Sequence, residues 1–139
     1  MSALNYIVII EDDTFFAKAF IQKISKLGEY QIKQYVSVEN SLDDLLTLQP
    51  EIIFLDHNLE GINGVEAIPL LKEICPNSEI VVISSQLDIE VVKQADEYGA
   101  TKYIRKDALL MNNTEEFINL YLEKPTNFQS FWLNLFKSN

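Results

Sequence analysis

Glu11, Asp12 and Asp13 stand side by side directly after the apolar run of residues 6–10. Like charges bunched in this way repel unless water solvates them or a cation sits among them. Three more residues of matching chemistry follow later strand-like runs: Asp56 after residues 52–55, Ser84 after 80–83 and Lys106 after 102–105. Oxygen-only ligands suit Mg2+, which prefers an octahedral oxygen shell and keeps several of its waters. A hydroxyl and an ammonium facing such an ion match a phosphoryl group, whose oxygens can be shared among metal, lysine and serine. A carboxylate beside the ion can then be a nucleophile that forms an aspartyl phosphate. Taken singly, each residue has a plainer reading. The acidic run is a solvated strand end, Asp56 a helix cap and Lys106 a surface lysine.

The set acts together only if the chain brings it to one place. Residues 6–10 read as a buried strand. Residues 14–27 read as a helix with Phe16, Phe20, Ile24 and Leu27 on one core-facing stripe and Gly28 as its stop. Phe15 lies about 100° from Phe16 around that helix, which turns it outward beside the acidic run, where it could dock a histidine-bearing helix. Residues 30–36 form a second strand, and 41–48 a short helix with Ser41 as N-cap and Pro50 beyond its end. Residues 52–55 are a third strand ending on Asp56, and 57–64 a loop with two glycines. Residues 65–74 are helical up to Pro76, and Pro69 within them predicts a late start or a kink. Residues 80–83 are a fourth strand ending on Ser84 and Ser85, 88–98 a helix stopped by Gly99, and 102–105 a fifth strand. Residues 114–123 form the last helix, with Thr114 as N-cap and Glu115 and Glu116 in its first turn.

Strands that are apolar throughout and separated by helical patterns predict an α/β fold with a parallel sheet covered on both faces. Right-handed crossovers narrow this to a doubly wound sheet. Ligands of such sheets sit beyond the carboxyl ends of the strands, where strand order reverses. The acidic run, Asp56, Ser84 and Lys106 follow strands one, three, four and five, so the fold gathers them on one edge.

Composition excludes several other roles. The chain has 139 residues, 47% hydrophobic and 23% charged, a balance that suits one globular domain. Its apolar runs are too short to span a bilayer. The single cysteine, Cys75, cannot form an internal disulfide and fits a reducing, cytoplasmic setting. The lone His57 argues against Cys–His and histidine-rich zinc sites, and it reads as packing beside the site without chemistry. A net charge of −10 makes direct nucleic-acid binding unfavourable, because phosphate contacts need Lys and Arg.

The segments IIEDD, FLDHN, VISS and YIRK, in this order and at these separations, resemble the receiver domain of two-component response regulators. The resemblance runs over residues 6–123 and implies a receiver domain at 1–124 with a flavodoxin-like (βα)5 sheet of strand order 2-1-3-4-5. It implies that Asp56 is the phosphoacceptor, with Ser84 and Lys106 each binding a phosphoryl oxygen. Mg2+ would be held by Asp12 and Asp56 directly, by Glu11 through water and by the backbone carbonyl of Asn58. Tyr103 matches the aromatic that changes rotamer as the hydroxyl residue moves towards phosphate. The implied protein is a regulator that catalyses its own phosphorylation and dephosphorylation, not a conventional enzyme. Its donor would be a sensor histidine kinase or a histidine phosphotransfer protein. Its output would pass through protein contacts, and the chain is expected to act without an output domain. Asp107 stands where many receivers have proline, and Glu60 where proline is frequent. Ser85 is small, as in receivers with an accessible phosphoryl group, while Asn58 and Gln86 occupy lifetime-tuning positions. Two rivals remain. One is a degenerate receiver that only binds proteins. The other is a phosphate-ester hydrolase with Asp56 as nucleophile, although such enzymes carry a second Asp where Asn58 stands.

Residues 125–139 form an extension outside the resemblance. Phe128, Phe131, Trp132, Leu135 and Phe136 fall on one stripe of an amphipathic helix. A helix of about ten residues does not stand alone in water. The stripe is expected to pack on the last helices and strand five, on a second copy in a homodimer, or on a partner protein. With only Lys137 as a positive charge, it is not expected to lie on a membrane.

Overall fold

The computed structural model describes residues 5–122. Five strands alternate with five helices: β1 Asn5–Ile10, α1 Thr14–Ser25, β2 Tyr30–Tyr35, α2 Val38–Leu48, β3 Ile52–Asp56, α3 Gly64–Ile74, β4 Glu79–Ser84, α4 Ile89–Tyr98, β5 Lys102–Arg105 and α5 Leu110–Tyr121. All pairings are parallel, and the order is β2-β1-β3-β4-β5, as the family resemblance implied. The expected C-terminal helix at residues 125–139 lies outside the described residues. No described helix is long and apolar enough to cross a membrane.

The two faces of the sheet explain why its strands are apolar throughout. Successive side chains on a strand point to opposite faces. Val8, Ile10, Ile53, Leu55, Ile80 and Val82 pack with Leu45, Ile68, Leu71 and Ala95 of α2, α3 and α4. Ile7, Ile9, Ile52, Phe54, Val81 and Ile83 pack on the other face with Phe20, Ile24, Phe117 and Ile118 of α1 and α5. Edge strand β2 has one neighbour only, and its exposure alternates accordingly. Cys75 is fully buried, and burial raises its thiol above the ordinary range, so it is packing rather than a nucleophile.

The helix starts correct two expectations and remove the late start offered as one outcome of Pro69 in a third helix. Helix α2 is capped by Ser37, whose Oγ accepts the Asn40 N–H at 3.1 Å, while Ser41 lies buried inside the helix and donates to the Val38 carbonyl. Helix α3 starts at Gly64 under an Asn63 cap, with no late start for Pro69. The proline gives up one intrahelical bond, and the buried face of Val65, Ile68 and Leu71 carries the helix past it. Helix α5 starts at Leu110, and Thr114 is buried within it instead of capping it. The chain turns into α5 at Asp107, whose Oδ1 accepts the Leu109 N–H at 2.9 Å and whose carbonyl accepts the Leu110 N–H at 3.0 Å. Leu110, Thr114, Phe117 and Ile118 then share the buried face.

Candidate functional site at the carboxyl edge of the sheet

Strand pairing levels the ends that matter. Asp56 is paired with Ile83, and Ser84 with Arg105. The hydrogen-bond ladder continues one residue past the strands. Glu11 N–H donates to Tyr35 O at 2.9 Å, His57 N–H to Ile83 O at 3.1 Å and Lys106 N–H to Ser84 O at 2.7 Å. The backbones of Glu11 and Lys106 are therefore as fixed as the sheet itself. Asp13 is the N-cap of α1, its Oδ1 accepting the Phe16 N–H at 3.0 Å, so its carboxylate serves the helix start.

Carboxylate oxygens of Glu11, Asp12 and Asp56 all lie within 4.8 Å of one another. Glu11 and Asp56 are buried, and Asp12 is exposed at the mouth. Glu11 Oε1 accepts from Lys106 Nζ at 2.5 Å, and Oε2 accepts the Asp13 N–H at 3.1 Å. Asp56 Oδ1 sits 3.4 Å from the same ammonium. It is buried and accepts no hydrogen bond among the described residues, so the Lys106 ammonium faces it as an ion pair without a hydrogen bond. Burial pushes the Glu11 carboxyl from 4.5 up to about 7, outweighing the lowering by Lys106 and the Asp13 N–H, and nearby Asp56 pushes it the same way. The pocket thus packs two buried carboxylates around one ammonium. An all-oxygen donor set short of positive charge, with one orphaned oxygen, fits a hard divalent cation.

The other expected residues fall around this centre. Ser84 is fully buried, and its Oγ accepts the Gln86 N–H at 3.2 Å, which leaves its hydroxyl proton available as a donor. Half-buried Tyr103 donates its OH to the Gln86 carbonyl at 2.9 Å. Gln86 therefore links the hydroxyl of Ser84 to the ring of Tyr103. Asn58 and Glu60 are exposed in the loop after β3, and Ser85 and Gln86 are exposed in the loop after β4. The peptide bond before Asp107 is trans. His57 is half-buried, and its buried Nδ1 makes no hydrogen bond among the described residues. Phe15 points outward as expected, 86% exposed.

Two contributors were not visible in the residue pattern. Phe16 reads as core from its spacing, yet it is half-buried, and the Lys106 ammonium lies 4.2 Å from its ring centroid. Gly64 begins α3 against the end of β3, where any side chain would collide with the Asp56 carbonyl oxygen. Its N–H donates to His57 O at 3.0 Å, closing the loop over the strand end. The only hint in the sequence was a glycine at the boundary of loop and helix.

Residues 7–119 match the family model of the response regulator receiver domain. The chain is 21% identical over 103 residues to sporulation initiation phosphotransferase F of Bacillus subtilis, a match covering 74% of this chain and 83% of that protein. It is 27% identical over 100 residues to chemotaxis protein CheY of Thermotoga maritima, covering 71% and 83%. A solved response regulator protein from Burkholderia pseudomallei, with a phosphorylated aspartic acid, a calcium ion and citrate, aligns with a TM-score of 0.73. Its identity is 23%, over 91% of this chain and 71% of that one.

Proposed function

The chain belongs to the response regulator receiver domain family, and from that premise we propose that Asp56 accepts a phosphoryl group and that the charge so added is read out by a protein partner. The observation that carries this reading is Asp56 Oδ1, a buried carboxylate oxygen with no hydrogen bond among the described residues, 3.4 Å from a lysine ammonium. A buried carboxylate oxygen that accepts no hydrogen bond among the described residues is available to form a bond to phosphorus. In the transfer, a carboxylate oxygen of Asp56 attacks phosphorus while the bond to the donor nitrogen or oxygen breaks and the electron pair leaves with the donor. Phosphohistidine on a sensor kinase or a phosphotransfer protein is the donor that the family suggests. The solved relative with a phosphorylated aspartic acid supports the same chemistry.

Glu11, Asp12, Asp56 and the Asn58 carbonyl would hold a divalent cation, with Mg2+ the choice that fits few protein oxygens and several waters. When bound, it offsets the charge of the carboxylates and of the phosphoryl oxygens. Lys106 turns from Glu11 towards the phosphoryl group and offsets one of its charges. Ser84 donates its proton to another phosphoryl oxygen. Because Ser84 and Tyr103 both bond to Gln86, a shift of Ser84 draws on the Tyr103 hydrogen bond and re-sets that ring. The surface around Tyr103 is then the element whose populations phosphorylation biases.

Intact mass after incubation with acetyl phosphate tests this. The expected result is one phosphate adduct, dependent on Mg2+ and absent in Asp56→Asn. Mg2+ binding without an adduct, or an adduct that survives in Asp56→Asn, would reject it. Neither adduct nor Mg2+ binding would favour a degenerate, purely protein-binding receiver.

A further inference from the structure

The Lys106 ammonium has three protons and three neighbours. One face meets Glu11 Oε1 at 2.5 Å and a second lies 3.4 Å from Asp56 Oδ1. The third meets the ring of Phe16, with Nζ 4.2 Å from its centroid. The side chain of Lys106 is only 17% exposed, so water does little to compete with these neighbours. The ring is itself anchored. It stacks on Phe20 at 5.5 Å, and Phe20 stands edge-on to Phe54 at 5.2 Å. Phe54 lies in β3, two residues before Asp56. A line of three rings therefore ties the lysine to the strand that carries the proposed nucleophile. Phe16 also walls a cavity of about 290 Å³ between α1 and the start of α5, so its stack on Phe20, not close packing all round, sets its position.

We propose that Phe16 is a positioning residue for Lys106: its ring keeps the ammonium over Glu11 and Asp56 and lets it slide between them. This rests on the reading of Asp56 as phosphoacceptor. A hydrogen bond to a fixed oxygen would have to break for the lysine to turn from Glu11 to a phosphoryl oxygen. The negative face of a ring attracts a cation over a broad area and imposes no such direction. An aliphatic residue in the same place fills the space but offers no charge complement, and the lysine then rests on Glu11 or in water.

The test compares Phe16→Leu, Phe16→Met and Phe16→Tyr in the full chain. Acetyl phosphate is the donor, the rate is read by intact mass, and folding is checked by circular dichroism. Phe16→Leu and Phe16→Met are expected to slow adduct formation about three- to tenfold, with Phe16→Tyr close to the parent. Recovery of the rate by Phe16→Tyr, but not by Leu or Met, separates a ring effect from packing, and the Lys106 side-chain NMR signals test the ring contact itself. They should carry an upfield ring-current shift in the parent and Phe16→Tyr, and lose it in the aliphatic variants. Equal rates in all folded variants, or an unshifted lysine in the parent, would overturn the proposal. Failure of the underlying phosphoacceptor reading looks different, because the parent itself then takes no adduct.

Discussion

The two edges of the sheet both carry polar groups and treat them in opposite ways. At the amino edge, polar side chains find partners. Ser78 Oγ donates to the Pro50 carbonyl, Lys72 Nζ to the Pro76 and Ser78 carbonyls, Gln49 Nε2 to Ile74 O, and Thr101 Oγ1 to Glu79. At the carboxyl edge, carboxylate faces carboxylate. Of the three buried side-chain atoms without a hydrogen bond among the described residues, two belong to adjacent residues there, Asp56 Oδ1 and His57 Nδ1. The third, Thr114 Oγ1, lies inside α5, and the geometry gives it no role. A satisfied group stabilises, and an unsatisfied one keeps its bonding capacity for something else. The amino edge holds the fold together, and the carboxyl edge leaves its valences open.

Substitutions at the two edges should therefore separate rate from stability. The largest effect is expected for Lys106→Met, which removes the ammonium beside Glu11 and Asp56. Adduct formation from acetyl phosphate should slow by about 10²- to 10³-fold, the usual loss for an electrostatic group aimed at developing charge. A change below threefold in time-resolved intact mass would break the comparison at its strongest point.

Ser78→Ala probes the opposite edge. It deletes the donor to a buried carbonyl and should lower unfolding free energy by about 1–3 kcal/mol, read by urea denaturation. Phosphorylation by the same donor should be unchanged. A slowed adduct in a folded Ser78→Ala protein would mean that the edges are not independent.

The smallest effect concerns Glu11. Its folded value of about 7 lies above the unfolded 4.5, so the folded protein binds more protons between these values. Without a divalent cation, its contribution to stability is complete below pH 4.5 and is lost as pH rises through about 7. Glu11→Gln should flatten that part of the profile. Mg2+ must displace the same proton, so its affinity should rise with pH over the same window. A parent and Glu11→Gln that track each other from pH 4.5 to 8 would remove Glu11 from the account.

Residues that end strands were easy to read, because a polar side chain at the close of an apolar run has few other places to go. Asp56, Ser84 and Lys106 are of this kind; the parallel pattern points to a doubly wound sheet, and the strand order comes from the family resemblance. Helix caps were harder. Ser37 and Ser41 are both serines near the same start, and only packing decides that Ser41 goes inside. Asp107 starts α5 from outside the helical pattern, so the start fell four residues late. Phe16 sits at a core spacing, and its contact with Lys106 joins residues 90 positions apart. The orphaned oxygen of Asp56 is a property of three-dimensional surroundings, which no residue type announces.

The most direct test of the central claim is to locate the phosphate. Borohydride reduction converts an aspartyl phosphate to homoserine, and peptide sequencing by mass spectrometry then identifies the residue. Conversion at Asp56 alone is the result this account predicts. Conversion at Glu11, Asp12 or any other carboxylate, with Asp56 unchanged, would contradict it.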